Sequence, residues 1–536
     1  MTRSRFLSLF ALLFLAATAH AQFHAEITSD RFPGADGTIA AQVRLVNATQ
    51  FEARNISFSQ GPNPSFITVV PSAEWSCTLQ YSYTCALAHP LAPGASAALD
   101  LRVHFDQPYQ RRGFNVLAFA EVGGKQVSSF VIDDTPALYR RFVVTQTGDA
   151  GPGSLRAAID ALNADAACAN VPCAVDFDIA SSDPVQRITL RSPLPPIARA
   201  DVLIDGTTQT LAHGDANPLG PEVEIDGAAA GLTNGIDFAN VDRGAVAGLA
   251  LGNFGDNAIL VRTRRRGKAL DTTPRLFVSK SYVGVDATGA RAMPNFRGIS
   301  ISPGWLDGGA VLDCIISRNI RTGIFDWSEH DPGFPLEPVL RVERNRISDN
   351  GASGIFLGDG SDGALLRDNL IERNRDFGVA VGNGAINVWI FANSIAHNGN
   401  AAIDLGLDGP TAVAPQRFTP PPYGNRSPAI ITAAVYDPAT NTTTVRGTPG
   451  VSPIPACDIC RSNRVSIYAN DAAEHGAYAE AQTYLGEAQP NGSGFVFTYS
   501  GDLRGKYLTA LDTIWLNVEA TNFFNACDLS KAFLVH

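Results

Sequence analysis

A repeat of 24 residues in the middle of the chain limits the possible folds more than any other feature. Three segments align at this spacing: NRISDNGASGIFLG from Asn345, NLIERNRDFGVAVG from Asn369 and NSIAHNGNAAIDLG from Asn393. Each has Asn at its first and sixth positions, Ile at its third, and an apolar-x-apolar-Gly ending. A period of this length with strand-like alternation inside each unit predicts a solenoid of stacked coils.

The alignment predicts which residues become vertical neighbours. Three sets of apolar residues are predicted to form the core: Val311, Val342, Leu366 and Ile390; Ile316, Ile347, Ile371 and Ile395; and Ile324, Ile355, Val379 and Ile403. Two asparagine ladders are predicted beside them: Asn345, Asn369 and Asn393; and Asn319, Asn350, Asn374 and Asn398. Asn suits left-handed turns and its amide pairs between coils, which favours a structural role; a polar ligand track is the alternative. Cys314 occupies a ladder position, which predicts a buried free thiol.

Side chains that point outward from the coils are the candidates for a functional site. One outward set is Leu312, Glu343, Arg367 and Phe391, and another is Phe325, Phe356, Ala380 and Asp404. The pairs Glu343–Arg367 and Asp349–Arg373 indicate a solvated face on which opposite charges pair between coils. None of these sets contains the two or three adjacent carboxylates that glycoside hydrolysis or a calcium-assisted lyase requires.

The N-terminus has the pattern of a secretory signal peptide, residues 1–21. Arg3 and Arg5 precede an apolar stretch, and Ala19-His20-Ala21 predicts cleavage before Gln22. No later apolar run approaches the roughly 18 residues that a membrane helix needs. We therefore expect export to the periplasm, the medium or the cell surface. The net charge of −11 argues against nucleic-acid binding, which needs a basic surface.

Eight cysteines suit an oxidising compartment. Cys77 and Cys85 are candidates for a staple across a hairpin, and Cys168 and Cys173 flank a short turn. The remaining candidates for disulfides are in the C-terminal region: Cys457, Cys460 and Cys527. The Cys457-x-x-Cys460 motif is compatible with a redox site, but without a βαβ context it favours a structural bridge.

The regions on either side of the repeat also have strand patterns. Residues 22–138 contain short alternating strands between turns, which predict a β-sandwich. In residues 142–409, an amphipathic helix capped by Ser154 is expected to cover the open end of the solenoid, with an apolar stripe of Leu155, Ala158, Ile159 and Leu162. Residues 410–427 are a Pro-rich linker, and residues 428–536 predict a second sandwich.

Three segments resemble known families. Trp75, Cys77, Cys85 and the LAPG turn at 91–94 resemble the immunoglobulin-like conserved-repeat domains of bacterial surface proteins, which implies a spacer or adhesive module. The order GPGSLRAAI…ITLRSPLPPIARADVLIDGTTQ resembles the entry segment of secreted right-handed parallel β-helix proteins with a pectin-lyase-like fold. The last region resembles the β-sandwich that often follows such domains. The resemblances imply an all-β protein: a right-handed parallel β-helix flanked by N- and C-terminal β-sandwich domains.

That β-helix family includes pectate lyases, polygalacturonases and alginate epimerases. The polygalacturonase clusters are absent from this sequence, and so is the Asp-Pro-His-Asp order of the epimerases. Residues 329–332, Glu-His-Asp-Pro, contain residue types similar to those of the epimerase motif but in a different order. No catalytic residue is therefore carried over from the family.

An inserted loop after one coil holds the main candidate site. Asp326 falls in register with inward residues, and it is followed by Trp327, Glu329, His330 and Asp331. A carboxylate here would serve as an acid or base, and Trp327 would stack on a sugar ring. The alternative is that Asp326 caps backbone amides where the loop starts, with its acidic neighbours in water.

Two other clusters are weaker candidates. The cationic run Arg264, Arg265, Arg266 and Lys268 would contact uronic acids or phosphates, or it is a solvated loop. Asp404 and Asp408 would bind calcium, but two carboxylates are too few for a defined site, and turn capping is favoured. No cofactor is otherwise predicted.

Two functions are compatible with these patterns. The first is an exported protein whose rod binds a polysaccharide or a cell-envelope glycan without catalysis. The alternative is a polysaccharide-active enzyme, a lyase, hydrolase or epimerase on acidic glycans, that uses the segment from Asp326 to Asp331.

Overall fold

The computed structural model describes most of the chain. The described residues are 23–49, 51–60, 66–80, 82–133, 136–239, 241–262, 275–301, 306, 308–329, 339–382, 384–385, 388–407, 428–450, 464–473, 479–518 and 521–536. The predicted signal peptide (1–21) and the Pro-rich linker (410–427) lie outside these residues and stay predictions. Within the described ranges, no helix combines the length and apolarity needed to cross a bilayer.

The N-terminal unit consists of two antiparallel sheets. Its strands are β1 (Phe23–Ser29), β2 (Ile39–Asn47), β3 (Ala53–Gln60), β4 (Ile67–Val69), β5 (Trp75–Leu79), β6 (Tyr83–Leu87), β7 (Ser96–Val103), β8 (Phe114–Val122) and β9 (Lys125–Asp133). The sheet orders are β1-β2-β7-β4 and β5-β6-β3-β8-β9. Both sheets contribute to one core, because alternate residues along β2 and β7 of the first sheet and β8 of the second are buried. The predicted disulfide between Cys77 and Cys85 is confirmed and joins β5 to β6.

The described residues in the middle of the chain form 24 strands and three short helices. In chain order these are β10 (Arg140–Val144), α1 (Leu155–Ala164), a 3₁₀-helix (Ala166–Ala169), β11 (Cys173–Phe177), β12 (Gln186–Thr189), β13 (Asp201–Asp205), α2 (Thr207–His213), β14 (Val223–Asp226), β15 (Ile236–Phe238), β16 (Arg243–Ala247), β17 (Leu249–Gly252), β18 (Asn257–Val261), β19 (Arg275–Ser279), β20 (Tyr282–Val283), β21 (Arg297–Ile301), β22 (Gly308–Leu312), β23 (Ile315–Ser317), β24 (Ile324–Asp326), β25 (Leu340–Glu343), β26 (Arg346–Ser348), β27 (Ile355–Leu357), β28 (Ala364–Arg367), β29 (Leu370–Glu372), β30 (Val379–Val381), β31 (Trp389–Phe391), β32 (Ser394–Ala396) and β33 (Ile403–Leu405).

These strands form three parallel sheets that run along one rod. The first sheet has the order β10-β11-β13-β16-β19-β22-β25-β28-β31, the second β12-β14-β17-β20-β23-β26-β29-β32, and the third β15-β18-β21-β24-β27-β30-β33. From β13 onward each coil contributes one strand to each sheet, so strands of successive coils pair with one another. The rod is a parallel β-helix whose core lies between the three sheets.

The predicted core sets are confirmed by the pairing register. Val311, Val342, Leu366 and Ile390 follow one another in the first sheet. The isoleucine set lies in the second sheet, and the set from Ile324 to Ile403 lies in the third. All of these side chains belong to the buried core of the rod. Burial of each contributes roughly 1.5–3 kcal/mol.

Both asparagine ladders are structural. The side-chain amide of Asn345 donates to Asn369 Oδ1 at 2.9 Å, and that of Asn369 donates to Asn393 Oδ1 at 2.8 Å. The second ladder has the same geometry and begins one coil earlier than predicted, since Asn295 donates to Asn319 at 3.0 Å. Each amide also donates to a backbone carbonyl of the preceding coil, as Asn369 does to Val342 O at 2.7 Å. The ladders therefore satisfy polar groups that the turns leave inside the rod.

The structure corrects one detail of the turn chemistry. The left-handed residue is the one that precedes each ladder asparagine, with φ of 56° at Arg344, 60° at Asp368 and 59° at Ala392. This conformation turns the following asparagine into the rod, where its amide meets the next coil. The asparagine is needed for its hydrogen bonds and not for its backbone preference.

Cys314 takes the predicted ladder position as a free, buried thiol. Its backbone N–H donates to Asn345 Oδ1 at 2.9 Å, and its thiol donates to Leu312 O. Burial raises the pKa of the thiol to about 12, so the group stays protonated at neutral pH.

The N-terminal end of the rod is covered as predicted. Ser154 caps α1, and the stripe of Leu155, Ala158, Ile159 and Leu162 is buried against the first coil. The predicted disulfide between Cys168 and Cys173 is confirmed and ties the 3₁₀-helix to β11. Apolar side chains that would otherwise face water at the open end are thus enclosed.

The C-terminal unit is also antiparallel. Its strands are β34 (Ile430–Asp437), β35 (Thr442–Thr448), β36 (Arg464–Asn470), β37 (Thr483–Ala488), β38 (Phe495–Ser500), β39 (Tyr507–Val518), β40 (Thr521–Leu529) and β41 (Phe533–Leu534), in sheets ordered β34-β35-β38 and β37-β36-β39-β40, with β41 on β39. Cys457 and Cys460 lie outside the described residues, and the side chain of Cys527 is not among the described side chains, so their pairing stays a prediction.

This unit closes the other end of the rod. Ile395 of the last coil forms an antiparallel bridge with Ala481, and the backbone N–H of His397 donates to Glu480 Oε1 at 2.6 Å. Tyr468 and Tyr484 pack into the core of the rod itself. The parallel sheets therefore end against a neighbouring unit and not in water.

Buried ion pairs hold the N-terminal unit against the first coils. Arg31 donates to Asp205 Oδ2 at 2.5 Å and to Asp176 Oδ1 at 2.9 Å, and both carboxylates are buried. Arg111 forms a two-bond pair with Asp201 at 2.8 and 2.9 Å. Because one partner of each pair is on the N-terminal unit and the other is on the first sheet, the pairs fix the position of the unit along the rod.

Replacement of Asn369 by alanine tests the ladder. The change removes four hydrogen bonds, two that the side chain accepts from Asn345 and two that it donates to Val342 and Asn393. We expect the free energy of unfolding in urea to fall by about 4 kcal/mol, at about 1 kcal/mol for each buried bond. Asn400→Ala, on an exposed turn of the same rod, is the matched control and should change it by less than about 0.5 kcal/mol. Equal effects of the two variants would contradict the structural role.

Candidate functional site

Asp326 is a buried residue of β24 and not part of an exposed loop. Its side chain is 0 % exposed, and its register with Leu357 is as predicted. Its Oδ1 accepts hydrogen bonds from the backbone N–H of Ser328, at 2.9 Å, and from the Ser328 hydroxyl. This geometry is the predicted alternative, in which the carboxylate caps the backbone where the strand ends.

The other members of the predicted acid–base set are only partly described. Glu329 follows in an exposed position, so the structure directs Asp326 inward and Glu329 outward. His330 and Asp331 lie outside the described residues, and so do Arg264, Arg265, Arg266, Lys268 and Asp408. Their roles stay predictions. Asp404, the remaining carboxylate of the calcium hypothesis, is buried in β33.

Three aromatic side chains come together on the outer face of the third sheet. Trp327 is 44 % exposed. Its ring centroid lies 5.6 Å from that of Phe356, with 3° between the ring planes, and 5.9 Å from that of Phe325, with 12° between the planes. The rings of Phe325 and Phe356 are 5.1 Å apart at 14°. Distances are between ring centroids and angles are between ring planes. We call Phe325, Trp327 and Phe356 the aromatic platform.

The β-helix positions the platform in a simple way. Phe325 and Phe356 are paired residues on adjacent strands, so their rings are separated by about one strand spacing. Trp327 is two residues after Phe325 and therefore returns to the same face. Gly358 leaves room for the indole, since a Cβ there would lie 3.3 Å from Trp327 Cδ2.

Arg297 extends the platform with a positive charge. Its guanidinium carbon lies 4.4 Å from the Phe325 ring centroid and 5.3 Å from that of Phe296. Loss of hydration lowers the pKa of Arg297; Asp256 opposes this effect and Arg321 adds to it. The exposed part of the indole offers apolar surface to the C–H groups of a sugar, and a guanidinium donates to sugar or acid oxygens.

Sequence reasoning found the parts of this site separately. It placed Phe325 and Phe356 in one outward set and proposed stacking for Trp327, but it did not combine them. It missed Arg297. The available signal was the position of Arg297, which directly precedes the Gly-Ile step of its coil, one coil before Phe325.

Glu343 forms a second feature of the outer surface, on the first sheet. Its predicted partner Arg367 donates to it at 2.9 Å, and Arg341 and Arg344 donate at 2.7 and 3.2 Å. Asp349 and Arg373 also pair as predicted, at 2.9 Å.

The expectation of a solvated face is wrong for Glu343, which is 0 % exposed. Three arginine side chains cover it, and Glu26 of the N-terminal unit is near enough to act on Arg344. Burial by itself would raise the pKa of Glu343, but Arg341, Arg367 and Arg344 together hold the pKa well below its ordinary range. The cluster is a charge-compensated structural contact.

Among the described residues, no group of three or more His, Cys, Asp or Glu side chains is arranged to hold a metal ion. The aromatic platform is therefore the described surface that we take as the candidate site.

Comparison with known proteins identifies the class of the middle section. Residues 290–414 match the family model described as "Right handed beta helix region". Together with the three parallel sheets, this match shows a right-handed parallel β-helix flanked by antiparallel β units, and it confirms the predicted fold class.

The comparisons with individual proteins are less informative. A solved structure titled "Crystal structure of Agl-KA catalytic domain" is similar at 12% identity and a TM-score of 0.23, over 71% of this chain and 66% of that chain. No curated protein matches the sequence.

Glu343→Gln tests the charge cluster. At pH 7 we expect the free energy of unfolding to fall by about 3 kcal/mol, because three arginines lose a buried partner. A folded-state pKa below the unfolded value of about 4.3 stabilises the protein above that pH, and this contribution decreases as the pH falls. At pH 3 the difference between wild type and variant should therefore shrink by about 2 kcal/mol.

Urea unfolding at the two pH values measures both effects. Glu52→Gln, which changes an exposed carboxylate paired with Arg54, is the control and should have little effect at either pH. A difference between wild type and Glu343→Gln that stays constant with pH would contradict this account.

Proposed function

We propose that this protein is an exported β-helix protein that binds glycans through the aromatic platform. The observation that carries the proposal is the half-exposed indole of Trp327, held parallel to Phe356 at 5.6 Å on the side of the rod. Clustered apolar side chains at an exposed position mark binding surfaces more often than single ones do.

The geometry suits an extended carbohydrate. The three rings stack on one another and form one apolar cluster whose exposed part is the indole of Trp327, and sugar rings have apolar C–H faces that pack against such side chains. The platform spans two adjacent strands, so its rings are fixed by the backbone pairing of the coils. A rigid site loses little conformational entropy when a ligand binds.

Export is part of the proposal. The signal-peptide pattern of residues 1–21 predicts it, and the bonds Cys77–Cys85 and Cys168–Cys173 support it because disulfides persist in oxidising compartments. The partner would then be a polysaccharide of the medium or a glycan of the cell envelope.

A polysaccharide-active enzyme is the second candidate. It is favoured by the exposed carboxylate of Glu329, which lies two residues beyond the indole. An enzyme would release reducing or unsaturated ends from the glycans that it binds, and Glu329→Gln would stop the release. The same purified protein and the same glycans test both candidates.

Trp327→Ala tests the binding site. We expect the affinity for the glycan that binds best in a panel of neutral and acidic oligosaccharides, measured by isothermal titration calorimetry, to fall at least tenfold. The reason is that the variant loses the largest stacking surface of the platform. Thermal unfolding should change little, since the indole is half exposed.

Tyr436→Ala is the matched control. Tyr436 is an aromatic residue of the C-terminal unit with Arg504 stacked on it at 4.5 Å, so it has similar chemistry at another place. This variant should bind as the wild type does. Loss of affinity in both variants, or in neither, would count against the platform as the glycan site.

A further inference from the structure

The charge beside the platform is not part of an ion pair among the described residues. Several other arginines of the described coils do pair with carboxylates, as Arg367 does with Glu343, Arg373 with Asp349 and Arg187 with Glu224. Within the described part of the chain, the Arg297 guanidinium donates to no oxygen and has no carboxylate within 4.0 Å. Its contacts are the rings of Phe296 and Phe325, and the carboxylate of Asp256 acts on it from beyond ion-pair distance.

The ring contacts fix the position of the Arg297 guanidinium, but they do not give its N–H groups an oxygen acceptor. An arginine has five N–H donors, and the π face of a ring is a weak acceptor for them. Arg297 is half-buried, so water only partly hydrates these donors. A ligand oxygen that approached the guanidinium would find several donors already oriented.

Arg321 places a second positive charge nearby. The backbone N–H of Arg321 donates to Phe296 O at 2.8 Å, so Arg321 lies on the coil that follows the coil of Arg297. The side chain of Arg321 is exposed. Arg321 is close enough to act on the pKa of Arg297, which means that the two like charges repel each other. Within the described residues Arg321 also has no carboxylate partner. An anion between the two guanidinium groups would remove the repulsion.

We infer that the aromatic platform selects anionic glycans, with Arg297 as the residue that binds the carboxylate or sulfate of a sugar stacked on the rings. The inference rests on the proposed glycan-binding function and names its ligand class. Arg321 assists by adding positive charge at the same edge of the platform. Arg297 therefore determines specificity and Trp327 supplies affinity.

The overall charge makes a local site necessary. The chain has a net charge of −11, so its long-range field repels an anionic polymer. Attraction must then come from short-range contacts at a place where positive charge is left without a protein partner. Among the described residues, Arg297 and Arg321 provide such a place next to a stacking surface.

The test compares ligands that differ only in charge. Calorimetric titrations would use a uronate oligosaccharide, the same oligosaccharide after reduction of its carboxyl groups, and a sulfated oligosaccharide of similar length. For the wild type we expect at least tenfold tighter binding of the uronate or the sulfated ligand than of the carboxyl-reduced one. Preference for one of the two anions identifies which acid the site takes, and either preference supports the inference.

Arg297→Gln should lower the affinity for the anionic ligand at least tenfold and leave the affinity for the neutral one within about twofold. Arg297→Lys should keep part of the selectivity, because it retains a charge without the planar guanidinium. Arg346→Gln, which changes an exposed arginine beside Glu372 on the second sheet, is the control and should behave as the wild type. If Arg297→Gln does not fold, Arg321→Gln gives the same comparison from an exposed position, with a smaller loss of selectivity.

Two results would overturn the inference: equal affinity of the wild type for charged and neutral ligands, or selectivity that survives in Arg297→Gln. The proposed function fails differently, when no glycan binds or when Trp327→Ala has no effect on binding. The two failures are therefore distinguishable.

Discussion

The vertical pairing of backbone strands between coils is the interaction on which the rest of this structure depends. Three parallel sheets run along the rod, and each strand between the two ends of a sheet pairs with the coil before and the coil after. Turns interrupt this pairing and leave polar groups inside the rod. The asparagine ladders satisfy those groups, and their side-chain amides form hydrogen bonds of 2.8–3.0 Å from one coil to the next. Backbone pairing and side-chain pairing thus have the same period, and each keeps the other in register.

A stack of this kind is stable only if its ends and its polar faces are covered. At one end α1 and the bond between Cys168 and Cys173 enclose the first coil, and at the other end the C-terminal unit continues the core. Along the side, the N-terminal unit is held by ion pairs such as Arg31 with Asp176. The flanking units therefore complete the rod structurally, whatever they also bind.

The same pairing gives the candidate site its rigidity. Phe325 and Phe356 are neighbours because their strands are neighbours, and Trp327 joins them because side chains alternate along a strand. Some arginines of the rod compensate carboxylates, such as those of the cluster around Glu343, whereas Arg297 is held by aromatic rings. The arginines around Glu343 stabilise the fold because they pair with a buried charge.

The sequence by itself determined the period, and with it the core sets, both ladders, the capping helix, the Cys77–Cys85 bond and the outward position of Phe325 and Phe356. A repeat fixes vertical neighbours, because equivalent residues of consecutive coils must lie one strand spacing apart. Only the tertiary structure decided that Glu343 is buried, that Asp326 turns to Ser328, and that Arg297 stacks on Phe325. These contacts run sideways across the rod surface or between units. They depend on side-chain direction and on docking, and the period of a repeat specifies neither.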